Sequence, residues 1–204
     1  MTNNEVIIRG DIISSRRIKD KENFWVRLNQ VISGINKEYS NELKFQLELF
    51  SGDAITGICS NKKAAFTITS RFIELLLPYK IRMVISEGEI DYQRKTMKLS
   101  ELDGEVFWKA SIEIDKLKEK KRYFSVITGQ REDPIMSSLA DIISELKYEW
   151  TPKEKEINHL YDLMKNQNEV ATKLGISQQS VSDGLRRSKY KQIRKAEQTL
   201  IDFI

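Results

Sequence analysis

The sequence predicts an α+β protein, with a sheet-bearing N-terminal domain followed by an all-α unit. Three observations predict it. Between Val6 and Ile85 the apolar residues follow strand, helix, strand, strand, helix, strand periods in that order, the split βαβ arrangement of a ferredoxin-like sheet. The stretch Phe50-Ser51-Gly52-Asp53-Ala54-Ile55-Thr56-Gly57 reads as a tight turn between two strands. Past the polar boundary Thr151-Pro152-Lys153-Glu154, only helical spacing is found. These breaks divide the chain into a domain over 1–130, a connecting helix over 131–150 and a C-terminal domain over 151–204.

In chain order, Val6 to Ile13 is a strand and Ser14-Ser15-Arg16-Arg17 a polar loop. Phe24, Leu28, Val31, Ile32 and Ile35 then share one helical face, with Asp20 as cap. Phe45, Leu47 and Leu49 alternate with polar residues before the turn, where Gly52 permits a backbone that a side chain would resist. Asn61 caps a second helix carrying Ala64, Ala65, Ile68, Phe72, Leu75 and Leu76, and Pro78 closes it. Lys80 to Ile85 is a strand that reaches Glu87-Gly88-Glu89. A third helix follows Leu102-Asp103-Gly104 and runs to about Lys120, with a short strand over Tyr123 to Ile127. The helix over Ile135 to Trp150 is capped by Asp133 before Pro134.

Composition bounds the function. Lys and Arg number 34 against 30 Asp and Glu, giving +4 and a pI near 9.0, a balance that permits nucleic acid or phosphate partners. One cysteine, Cys59, excludes an internal disulfide framework and fits a reducing compartment. With no secretory signal and no membrane-length apolar run, the expected location is cytoplasmic. His159, the single histidine, lacks the company a zinc site needs and is expected at a solvated helix position.

Asp11 ends the first strand and Asp53 sits in the hairpin turn. Antiparallel pairing of those strands should bring them to one sheet edge. Two carboxylates there can hold Mg²⁺ or Mn²⁺, hard ions that take oxygen ligands and leave room for nucleotide phosphates; the alternative is that both are turn residues, with Asp11 neutralised by Arg9. A nucleotide or its phosphates would be received by Ile12, Ser14, Ser15, Arg16 and Gly52, through backbone amides and the arginine, and by Lys109. Glu87 and Glu89 are candidate third carboxylates.

The blocks Asp11-Ile12-Ile13-Ser14-Ser15, Ser51-Gly52-Asp53-Ala54, Arg82 to Glu89 and Gly104 to Ala110 occur in the order of those of class III nucleotidyl cyclases and related palm-type domains. The whole pattern resembles the SatD family of small bacterial proteins. The resemblance implies a cyclase-like fold, a metal pair on Asp11 and Asp53, and a nucleotide ligand. Where the resembled cyclases carry an Asn and an Arg on the helix after Gly104, this chain has Trp108 and Ile112, and Arg9 adds a cation beside the expected metals.

In the C-terminal domain, Ile157, Leu160, Tyr161 and Met164 form one helical face, with Thr151 as cap and Pro152 at the first position. Gln167 to Arg187 then resembles a bacterial helix-turn-helix. Ala171 is small where helices cross, Gly175 makes the turn and Ser177 caps the next helix. With Gln178 to Ser188 as recognition helix, Gln178, Gln179, Ser180 and Ser182 reach base edges, while Arg186, Arg187, Lys189 and Lys191 suit phosphates of double-stranded DNA. Gly184 within that helix and the acidic Asp183 run against the pattern. Such modules bind as two-fold dimers, so a homodimer is expected, with the helix over Tyr190 to Ile204 packing on its own domain or on a second copy. The leading expectation is a DNA-binding transcriptional regulator whose first domain binds a nucleotide and a divalent ion. The alternative is a metal-dependent nucleotidyl cyclase or nucleotidyltransferase with a targeting module.

Overall fold

A computed structural model describes residues 2–50, 52–91 and 98–204; Ser51 of the hairpin stretch lies outside them. Strands β1 (Thr2–Ile12), β2 (Leu43–Phe50), β3 (Ala54–Cys59), β4 (Ile81–Asp91) and β5 (Phe124–Ile127) form one sheet, in the order β2-β3-β1-β4-β5. The first three pairings are antiparallel and β5 joins β4 in parallel. Helices α1 (Lys21–Glu38), α2 (Lys62–Leu76), α3 (Glu105–Glu119) and α4 (Asp133–Tyr148) belong to this layer structure. Four more follow it: α5 (Pro152–Met164), α6 (Gln167–Leu174), α7 (Gln178–Arg187) and α8 (Tyr190–Phe203).

The pleat of β1 decides which side chains meet which layer. Val6, Ile8 and Ile12 join Phe24, Leu28, Ile68, Phe72, Ala140 and Ile143 in the core under α1, α2 and α4, whereas Ile7 faces the smaller core under α3 with Val106, Ala110 and Ile114. Asp20 caps α1 by accepting the Asn23 amide, and Asn61 caps α2 by accepting that of Ala64. α3 starts just after Gly104, a position that accepts only glycine because a Cβ there would come within 2.5 Å of the Glu89 carbonyl oxygen.

Three expectations need correction. Phe45, Leu47 and Leu49 do not share a face: Leu47 is in the larger core, Phe45 packs against the smaller one and Leu49 is exposed. Register shifts on both sides of Phe45 break the alternation, and the Asn36 side-chain amide takes over backbone bonding by pairing with both the N–H and the C=O of Leu47 at 2.8 and 2.9 Å. Asp133 does not cap α4. It lies inside the first turn, and its carboxylate accepts from the Thr128 amide, the Thr128 hydroxyl and the Gly129 amide, closing the loop after β5. α4 is more than a connector, since Met136, Ala140 and Ile143 are in the main core and the Tyr148 hydroxyl donates to the Ile81 carbonyl and accepts from its amide.

The C-terminal helices are fastened to the sheet layers by a buried ionic network. Lys147 of α4, 1% exposed at its side chain, contacts Glu74 of α2 at 2.6 Å, Glu197 of α8 and the Ser70 hydroxyl. Arg194 of α8 makes a two-pronged contact with Glu74 and reaches Glu197 and, at 2.5 Å, Asp162 of α5. Burial alone would raise the Glu74 pKa, but Lys147 and Arg194 outweigh it and hold the group at about 2. Ile193 and Leu200 of α8 complete the anchor in the main core.

Lys147→Ala should cost about 3 kcal/mol in chemical denaturation, because it removes a buried partner of Glu74 and Glu197 and leaves both to Arg194. The depressed Glu74 pKa gives a stabilisation present above the ordinary carboxylate pKa and lost as pH falls toward about 2. Acid titration of wild type should show that loss, and Glu74→Gln should flatten it.

Candidate functional site

The sheet brings the ends of β1 and the β2–β3 turn together. Asp11 lies opposite Ala54 in the ladder, and the Ile12 amide donates to the Asp53 carbonyl at 3.3 Å. Gly52 takes a φ of 96°, the left-handed region that a turn of this kind requires. Asp53 Oδ2 accepts from the Ser15 hydroxyl at 2.6 Å, and Ser14 holds a left-handed φ of 58° just before a short 3₁₀ turn, Ser15–Arg17.

Asp11 itself is committed to cations. Lys118 of α3 approaches Oδ1 at 3.1 Å and Arg82, its cross-strand neighbour on β4, approaches Oδ2 at 3.6 Å. Burial works against the charge on Lys118, yet Asp11 and Asp115 outweigh it and raise its pKa. Arg9 lies two residues away on the same face; burial lowers its pKa, with Asp11 and Asp115 opposing that shift. A divalent ion would have to displace or tolerate these positive charges, and among the described residues no group of three or more His, Cys, Asp or Glu could hold a metal. Of the two expected carboxylates, Asp11 already faces Lys118 and Arg82 and Asp53 accepts from Ser15, an arrangement that weighs against Mg²⁺ or Mn²⁺ on this pair unless those partners move.

The expected phosphate cradle is also partly occupied. The Ile12 amide is taken by Asp53 and the Ile13 amide by the Lys80 carbonyl at 2.9 Å. Arg16 is exposed, and Lys109 pairs with Glu105 at 3.0 Å, one turn earlier on α3. Trp108 is 65% exposed whereas Phe107 packs against the smaller core. Glu87 and Glu89 do not approach Asp11: they lie opposite Val6 and Asn4, so five or more residues of strand, roughly 16 Å, intervene. Sequence reading missed Lys118 because a lysine one helix away carries no signal until the α3 crossing is known.

The second region is built from α5, α6 and α7. Ile157, Val170, Ala171, Val181, Leu185 and Tyr190 form its buried core. Thr151 and Glu154 cap α5 reciprocally, Asn166 caps α6 and Ser177 caps α7 by accepting the Ser180 amide. Gly175 closes α6 at φ 63°. Gly184, which ran against the helical pattern, is explained by packing: a Cβ there would lie 2.6 Å from Ile157 Cδ1, so the glycine lets α7 lie close on α5.

On the outer side Gln178, Gln179, Ser180, Arg186, Arg187, Lys189 and Lys191 are exposed and Ser182 is half-buried. The Gln178 side-chain amide donates to the side-chain Oε1 of Gln167 at 2.5 Å, which ties the starts of α6 and α7 together. Asp183 does not stand free, since Arg186 pairs with it at 2.8 Å. Arg187 reaches back to Glu154 at 3.1 Å with its own side chain 61% exposed.

A five-stranded mixed sheet layered with helices and extended by four further helices is the class of protein these elements define. A scan against protein families matches the SatD family over residues 5–204, and the chain belongs to that family. Among curated proteins none matches. Among solved structures the chain is similar to a bacterial light-regulated adenylyl cyclase at 12% identity and TM-score 0.48, covering 62% of this chain and 76% of that one. A second structure of a bacterial light-regulated adenylyl cyclase matches at 15% identity and TM-score 0.45, over 62% of this chain but only 43% of that one. The guanylyl cyclase Cya2 matches at 14% identity and TM-score 0.38, over 55% and 69%. Likenesses this loose carry no residue role over to this chain.

Asp11→Ala would leave Lys118, Arg82 and Arg9 crowded without their shared carboxylate. It should lower stability in urea denaturation by about 1–3 kcal/mol.

Proposed function

We propose that the protein binds double-stranded DNA through α6 and α7, in the manner of a transcriptional regulator, with residues 1–130 forming a ferredoxin-like, cyclase-type domain ahead of a helix-turn-helix unit. The observation that carries this is the outer face of α7. Its early polar residues Gln178, Gln179 and Ser180 are exposed, and the basic residues Arg186, Arg187, Lys189 and Lys191 follow them. A helix presented by a left-handed glycine turn and a serine cap fits the width of the major groove, where Gln reads adenine edges and Arg or Lys meets phosphates. None of the comparisons speaks to DNA, so the reading rests on these residues alone. A homodimer on a two-fold site is part of the proposal, because one short helix gives modest affinity.

One observation favours a second reading, a metal-dependent nucleotidyl cyclase or nucleotidyltransferase: Asp11 and Asp53 adjoin at neighbouring strand ends. The pairing of Asp11 with Lys118 and Arg82 weighs against it. Incubation with each nucleoside triphosphate and Mn²⁺ tests it, since turnover abolished by Asp53→Ala would make the first domain an enzyme and the C-terminal unit its targeting module.

Fluorescence anisotropy with random-sequence duplex, repeated across salt concentrations, tests the DNA proposal. Arg186→Ala with Arg187→Ala should weaken binding to every sequence and reduce the salt slope by about 2. Gln178→Ala should mainly erode discrimination between sequences. Absence of binding to any duplex at low salt would end the proposal.

A further inference from the structure

A recess of about 280 Å³ lies where α1, α2 and the start of α5 meet, apart from both regions described above. Arg27 of α1, Arg71 of α2 and Lys155 of α5 line it, with Trp150, Asn158 and His159. Its charge is unbalanced. Arg27 donates to the carbonyls of Leu75 and Leu77 at 2.7 and 3.0 Å, and Lys155 donates to that of Leu77 at 2.7 Å. Those carbonyls end α2 and carry only partial negative charge. Among the described residues neither Arg27 nor Lys155 has a carboxylate within ion-pair distance, and Arg71 meets Glu38 at 3.8 Å, too far for a hydrogen bond.

The carboxylates on the wall are already engaged. Glu74 is shared between Lys147 and Arg194, and Glu156 pairs with Lys153 at 3.0 Å. Donors are left over. Among the described residues the Nε atoms of Arg27 and Arg71 are buried without acceptors, and so is the side-chain nitrogen of Asn158, a residue only 1% exposed. Buried donors of this kind ordinarily have partners. Burial, and then the charge of Arg27, push the Lys155 pKa down to about 8.

We propose that this recess binds the phosphate group of a small phosphorylated metabolite. A dianion would offset the crowded cations of Arg27, Arg71 and Lys155 that line the recess, and it would bridge the sheet layers to the first helix of the C-terminal unit. The inference is independent of DNA binding, because a phosphate response in this recess stands whether or not a duplex is bound.

Calorimetry and thermal melts of the full chain with inorganic phosphate, at ionic strength matched with chloride, test it. Phosphate should bind and raise the wild-type melting temperature. Lys155→Met and Arg71→Gln should each weaken phosphate binding by about tenfold or more. Lys155→Met should melt no lower than wild type, since it removes a desolvated cation while Arg27 still serves the Leu77 carbonyl. Arg186→Ala with Arg187→Ala should leave the phosphate affinity unchanged. The proposal is overturned by the absence of any response to millimolar phosphate, by an equal response in wild type and Lys155→Met, or by a response abolished only in the Arg186 and Arg187 variant.

Discussion

Lys147 and Arg194, set among Glu74, Glu197 and Asp162, are the joint on which the arrangement of this molecule depends. α2, α4, α5 and α8 each contribute at least one of these groups, so the sheet layers and the C-terminal helices are held in one geometry by charges withdrawn from water. Such a network favours one arrangement over others rather than adding raw stability, because desolvation consumes much of the attraction. Its charges are nearly balanced, and Tyr190 adds a hydroxyl to Asp162 and a ring face 5.3 Å from the Arg194 guanidinium carbon. α8 is thereby a tie-rod between two cores, with Ile193 and Leu200 in one and Tyr190 in the other.

The same logic of pairing separates the two candidate regions. At the β1 end a carboxylate that could have faced an ion is held by Lys118 and Arg82. On α7 the early polar residues are exposed, and both of its cations, Arg186 and Arg187, touch carboxylates of their own chain yet keep most of their side chains in solvent, as do Lys189 and Lys191 just beyond it. Charged groups that are satisfied internally stabilise; those left facing solvent are available to a partner.

The order of strands and helices was legible because each element carries its own periodicity and its own cap: Asp20, Asn61, Thr151 and Ser177 all accept the amides expected of them. Adjacency of Asp11 and Asp53 followed from antiparallel pairing and the reach of a hairpin. What could not be read was long-range. Asn36 grips Leu47 from another element, Lys118 crosses to Asp11 from α3, and Gly184 makes sense only once Ile157 lies against it. Asp133 misled for the opposite reason: an Asp before Pro reads as a cap locally, while its oxygens serve a loop that the local pattern does not mark.

The irregular β2 strand has a consequence for how molecules of this protein behave toward one another. β2 is an outermost strand, and a regular outermost strand is a ready docking rail for a neighbour's backbone. Here the displaced register near Phe45, the Asn36 clasp on both polar groups of Leu47, and the exposed charges of Lys44 and Glu48 interrupt that rail. Crowded chains thus meet a broken template along this border, which guards the folded protein against edge-to-edge aggregation.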